Sequence, residues 1–306
     1  MLRKFAIGIA ALVAAIFLVR GLSAQHGARM MMIAAPAMIE VPASGVSLPM
    51  QDVGGRPIVD VKINGKGPYR FILDTAASGN VIDTALQDEL SLPKSPMMAS
   101  FPGHGATMSL VSVDEMIVGQ AKLGGLTAVV MHLDKLFTGD NAPRGVLSSA
   151  AFPGHLVTFD YPKKKIGIAK GKLAAADAKT TFAYTEDDLL PTVPVHVGDR
   201  EVRVHLDTGA SYGLLLPRHY LDELALASKP VDSGQKNRTP MGESPIMLAR
   251  VKGPIALGSF PLEVTDVRFA DVSPGGGPPS GSVGYDVLRG FVVTLDSRNR
   301  LVKLER

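Results

Sequence analysis

The sequence predicts a mostly β fold made of two homologous lobes, with a shared site at their junction. A segment that begins "RPIVDVKINGKGPYRFILDTAASGNVIDTALQDEL" at Arg56 returns as "PTVPVHVGDREVRVHLDTGASYGLLLPRHYLDEL" at Pro191. Further on, "GVLSSAAFPGHLVTFD" (residues 145–160) aligns without a gap on "GSVGYDVLRGFVVTLD" (residues 281–296). That alignment sets Gly145 on Gly281, Gly154 on Gly290, Thr158 on Thr294 and Asp160 on Asp296. Strand-like runs such as "FVVTLD" and "LVKLE", separated by Gly, Pro, Asn and Asp, fill both halves. A repeat of this length means that one structural unit occurs twice.

Each copy reads in the same order: strand, tight turn, strand ending in Asp-Thr, small-residue loop, apolar strand, short helix. Asn64-Gly65 and Gly198-Asp199 mark the tight turns, because a two-residue hairpin needs residues that accept positive φ. Helical periodicity is confined to residues 83–90 and 219–226. Between the copies, "KGKLAAADAKTTFAYTEDD" is polar and alanine-rich, as a connector would be. Lys163, Lys164 and Lys165 read as a solvated turn between the last two strands of the first lobe.

With 306 residues, 46% of them hydrophobic and 20% charged, the chain can bury one large core or two modest ones. Its 32 Lys and Arg exceed its 29 Asp and Glu only through Arg3, Lys4 and Arg20. Without that leader the chain is formally neutral, so no nucleic-acid partner is indicated. The opening "MLRKFAIGIAALVAAIFLVRGLSAQ" has a cationic start, an apolar run over residues 5–19 and small residues at Ser23 and Ala24, as a secretory signal does. Export to the periplasm or medium with cleavage near Ala24 is expected. The alternative is an uncleaved membrane anchor at residues 5–19, since Leu22 fits the cleavage pattern poorly. The absence of cysteine rules out disulfides, a thiol nucleophile and zinc-thiolate sites. The expected division is a signal at 1–24, an extension at 25–52, a first lobe at 53–170, a linker at 171–190 and a second lobe at 191–306.

Two symmetry-related lobes, each presenting one aspartate after an apolar strand, can bring Asp74 and Asp207 face to face. Two carboxylates that close cannot both ionise cheaply, so they share a proton. One can then activate water while the other polarises a carbonyl, with no cofactor and no metal. Thr75 and Thr208 can bond to the opposite loop and hold the acids coplanar. Ala76, Gly209, Ser78 and Ser211 complete the two loops and let backbone N–H groups approach the carboxylates. The lead-ins Phe71-Ile72-Leu73 and Val204-His205-Leu206 anchor the loops in apolar surroundings, which raises the cost of charging both acids.

At "NGKGPYRFILDTAAS", "LDTGAS" and the "SVG" of Ser282–Gly284, the chain resembles the two-lobed bacterial aspartic proteases with retropepsin-like and pepsin-like lobes. The resemblance runs from about Arg56 onward. It implies two β-barrel lobes, catalytic aspartates at Asp74 and Asp207, structural threonines at Thr75 and Thr208, and a peptide or unfolded protein as substrate. It also implies an apolar cleft preference, a monomer, and a hairpin flap near residues 101–108 ("FPGHGATM"). Two positions depart from the family pattern: Ala76 stands where glycine is usual, and Ser148 where the second copy has Gly284. If position 76 requires positive φ, alanine costs about 1 kcal/mol there; if not, the exchange is nearly harmless.

Three other readings compete. A catalytically inert peptide-binding module on the same fold is conceivable because of Ala76. Gly209-Ala210-Ser211-Tyr212-Gly213 is a literal serine-hydrolase elbow, but His219, eight residues on, is the only histidine after Ser211, and the long helices of that fold are absent. The seven histidines show no H-x-x-x-H pair, so a metallohydrolase lacks support; His104 and His205 read as surface or packing residues. Met30-Met31-Met32 reads as linker or packing rather than as a soft-metal site.

Overall fold

The structure is a computed structural model that describes residues 18–20, 35–100, 107–185, 190–239, 242–264, 266–271 and 280–306. Apart from a three-residue strand at Leu18–Arg20, the expected signal lies outside the described residues, as do the methionine run at 30–32 and the expected flap tip with His104. Among the described residues no helix is long and apolar enough to cross a membrane.

The first lobe closes on itself. Pro57–Ile63 and Lys66–Asp74 form the predicted hairpin, with Asn64 and Gly65 both at positive φ (49° and 78°), the primed-turn geometry that matches strand twist. Lys66–Asp74 then runs parallel to Gly145–Ser148, which lies antiparallel to Asn80–Asp83. Asn80–Asp83 is parallel to Ala121–Met131, which pairs with Thr107–Val118, and this strand returns to Pro57–Ile63. These six strands form a barrel with no free edge between them. The helix Thr84–Leu90 begins where predicted, with the Asp83 carboxylate capping Ala85 N–H.

The second lobe repeats the pattern. Thr192–Val197 pairs with Arg200–Leu206, which is parallel to Gly281–Val283; that strand is antiparallel to Leu214–Leu216, itself parallel to Val267–Phe269. The second helix is a single turn, Tyr220–Glu223. Here the strands lie in one nine-stranded sheet ending in the hairpin of Val231–Thr239 with Gly242–Ala249.

A third sheet of six antiparallel strands joins the lobes. His155–Asp160 of the first lobe pairs with Val292–Asp296 of the second, and Thr158 meets its own repeat partner Thr294, hydroxyl to hydroxyl at 3.1 Å. A residue paired with its own copy marks the axis of a pseudo-two-fold. The linker contributes Thr181–Ala183 and the N-terminal extension contributes Val46–Pro49, so both segments are built into this sheet. Lys163 and Lys164 occupy the turn between His155–Asp160 and Lys165–Lys170, with Lys163 3.3 Å from Asp160.

Candidate active site

Asp74 ends its strand and Asp207 immediately follows its own, so two buried β-strands deliver the two carboxylates to the lobe junction. Both side chains are removed from solvent. The loops are tied to each other by the two threonines. Thr75 N–H donates to Thr208 Oγ1 at 3.1 Å, and Thr208 N–H donates to Thr75 Oγ1 at 3.1 Å. The Thr208 hydroxyl donates to the Leu73 carbonyl at 2.8 Å, and the Thr75 hydroxyl to the Leu206 carbonyl. Each threonine therefore bonds the strand that leads into the opposite aspartate, and the positions of the two acids are coupled through four buried bonds.

The chain belongs to the aspartyl protease family. Its family model matches twice, at residues 59–149 and 193–287, once for each lobe. No curated protein matches the chain.

In this member of the aspartyl protease family the surroundings of the two aspartates are not identical. Ala76 N–H donates to Asp74 Oδ1 at 2.7 Å. The Gly209 and Ala210 N–H groups lie close enough to Asp207 to favour its charge, yet neither is aligned to bond its carboxylate, and Ala210 N–H donates instead to the Asp207 main-chain carbonyl at 3.3 Å. Burial pushes Asp74 up to about 7, eased by the N–H groups of Ala76 and Gly209 and by Arg56. Burial, and next the Asp74 charge, push Asp207 well above the usual carboxylate range, again eased by Arg56. A pair raised in this way holds a proton under conditions where ordinary aspartates have lost theirs.

Position 76 does not adopt positive φ, so alanine costs no backbone strain there. Its methyl is buried in one cluster with Leu190, Ala210 and Tyr212. Gly209, the equivalent residue, has no such freedom: a Cβ there would lie 2.6 Å from Asp74 Oδ2. The other departure also has a local cause. The Ser148 hydroxyl donates to the Ala77 carbonyl, whereas a Cβ on Gly284 would lie 2.8 Å from the matching Ala210 carbonyl. The second-lobe loop is one residue longer before its apolar strand, and this crowds it against Gly284.

Sequence reasoning missed Arg56. This buried arginine of the first lobe donates from Nε to the Gly209 carbonyl at 2.9 Å, from Nη1 to Gly54 at 3.1 Å and from Nη2 to the Ser211 hydroxyl at 3.4 Å. Its guanidinium also lies 5.3 Å from the centre of the Phe137 ring. It brings a fixed positive charge to the two aspartates and pins the loop after Asp207 from across the junction. Close by, the Tyr285 hydroxyl bonds Asp52, tying the same N-terminal segment to the second lobe.

The remaining expected residues sort clearly. Ser78 is buried beside the first loop, and Ser211 is a partner of Arg56. His219 is half exposed, 3.8 Å from Glu223. His205 stands on Arg200–Leu206, paired with Ser282 of the neighbouring strand. Among the described residues no three His, Asp or Glu side chains gather as a metal site.

Proposed function

We propose that this protein is an aspartic endopeptidase in which Asp74 and Asp207 share one proton. The ionised carboxyl takes a proton from a bound water as that water attacks the scissile carbonyl. The protonated carboxyl donates to the carbonyl oxygen, and the proton gained from water then passes to the leaving amide nitrogen. Burial supports this reading because it keeps one proton on the pair near neutral pH. Paired aspartates that hold a single proton between them are the general device of aspartic proteases, since two like charges so close cannot both form.

The observation that carries the proposal is the reciprocal bonding of Thr75 and Thr208 to the opposite aspartate strands. A binding module has no use for two buried acids held in register. An exported, monomeric enzyme acting on peptides or unfolded protein is the setting that fits the leader and the single-chain duplication. The test is cleavage of a mixed-peptide library from acidic to neutral pH by the protein and by Asp74→Asn, Asp207→Asn and Ser211→Ala versions. Loss of cleavage in both Asn variants, with turnover kept in Ser211→Ala, is the expected result. Turnover surviving either Asn substitution, or lost only with Ser211, would overturn it.

A further inference from the structure

The two lobes present matching inner faces to the dyad, and the cross-strand pairings allow a residue-by-residue comparison. Laterally paired residues on neighbouring strands share a face of the sheet. In the first lobe one such row runs Leu110, Val129, Val81, Val146, Ile72. All five are buried in a single apolar cluster that also contains Ala77, three residues from Asp74. The equivalent row of the second lobe runs Leu248, Arg268, Leu215, Ser282, His205. Leu215 belongs to the cluster that contains Ala76 and Ala210, so this face too adjoins the dyad. Three of the five apolar positions have become polar, and one of them is a cation.

Arg268 stands where the first lobe has Val129, between Leu248 and Leu215. Its Nε is buried and has no hydrogen-bond partner among the described residues, and no described Asp or Glu forms an ion pair with it. A guanidinium is always charged, and Nε with one terminal nitrogen forms a fork that fits a carboxylate. A second observation points the same way. Asn237, only 1% exposed, has both amide atoms unpartnered. It pairs laterally with Ser244, on the face shared by Ile246 and Leu248. Buried donors left open beside apolar walls suit a polar ligand group.

We propose that Arg268 makes the second-lobe side of the cleft a subsite for an acidic side chain, so that preferred substrates carry Asp or Glu at one position beside the scissile bond. The proposal rests on the protease reading for its location in the cleft and departs from the apolar preference that family resemblance implies. The first-lobe wall remains apolar. The cleft is therefore polarised, and a peptide lies in it in one direction.

The test uses peptide pairs that differ only by Glu or Gln, one position at a time, at about pH 6, where a free Glu is ionised. Cleavage is measured with the wild-type protein and with Arg268→Met and Arg268→Lys; binding is measured with Asp207→Asn alone and combined with Arg268→Met. The expected result is a preference for Glu of about tenfold or more at one position, a typical yield for a charge-assisted bidentate pair. That preference is lost in Arg268→Met and kept in part in Arg268→Lys. Because the readout is a ratio within each variant, a loss of folded protein does not imitate it. Cleavage without any preference for Glu, or a preference that survives Arg268→Met, overturns the subsite and leaves the protease standing. Binding of Glu peptides that depends on Arg268, with no cleavage by any version, overturns the protease and keeps the subsite. Neither binding nor cleavage overturns both.

Discussion

The two lobes share a strand order and an Asp-Thr loop, yet they treat the same positions differently. In the first lobe, Arg56 precedes the hairpin and reaches over to Gly209 and Ser211 of the second. In the second lobe the same position is Leu190, which lies in one apolar cluster with Ala76. Thus each lobe covers the other's Asp-Thr loop, one with a cation and one with a hydrocarbon. The loops differ under these covers: a methyl is accommodated at Ala76 beside Leu190, while Gly209 must stay bare because Asp74 crowds it. A symmetric dimer of identical chains would place the same residue on both sides. Duplication within one chain lets the two sides differ, and here it leaves Arg56 on one side of the paired acids with Leu190 as its counterpart on the other.

The largest effect should come from erasing the difference at the loops. Gly209→Ala is expected to lower kcat/KM by about 10²- to 10³-fold, the scale on which displacing a catalytic group by an ångström acts. Steady-state kinetics on any cleaved peptide would show it. An activity within about threefold of wild type would mean that Asp74 has room the structure denies it.

The acids themselves come next. Because burial raises Asp74 to about 7, the folded protein binds a proton that the unfolded chain releases near 4. The associated stability is complete below about pH 4 and is lost as pH rises to about 7. Asp74→Asn, which mimics the protonated form, should therefore be more stable than wild type by about 4 kcal/mol at pH 8 and nearly equal to it at pH 4. Urea unfolding at the two pH values measures this. A variant less stable at the higher pH would place the opposite sign on the burial of the dyad.

Turning the first cover into the second is a smaller step. Arg56→Met removes the cation, so both limbs of the pH–activity profile should move to higher pH, by about one unit. It should also cost about 1–3 kcal/mol of stability, since the Gly209 carbonyl loses its buried donor. The groups that face this charge are Asp74, Asp207 and Tyr212. Arg56→Lys keeps the charge without the fork, so its profile should stay in place while stability falls. A profile that is unmoved in Arg56→Met would make this residue a structural clamp only. Smallest of all, Ala76→Gly should keep turnover within about threefold and lose no more than about 1 kcal/mol by calorimetry, since the methyl is a packing contact on an unstrained backbone.

The fold and the meeting of the two Asp-Thr loops were legible because repetition multiplies weak signals. One Asp-Thr turn says little, but two, each behind an apolar strand and ahead of a matched closing segment, define the lobes and the pseudo-axis through Thr158 and Thr294. Arg56 was not legible, because a basic residue before a strand looks solvated and its partner Gly209 lies 153 residues away. Arg268 was hidden for a different reason. In "VRFA" the alternation of apolar and polar residues reads as a strand with one wet face, and only the sheet pairing sets Arg268 between Leu215 and Leu248. Val46–Pro49 is too short a run to place until its partner in the six-stranded sheet is seen.

Whether Asp74 and Asp207 form one proton-sharing unit is decided by following the two aspartate carboxyl carbons by ¹³C NMR from acidic to mildly alkaline pH. A shared proton makes them titrate together, with one proton retained well above the pH at which ordinary aspartates lose theirs, and either Asn substitution changes the titration of the partner acid. Two independent titrations near the ordinary aspartate value, each indifferent to loss of the other acid, would contradict it.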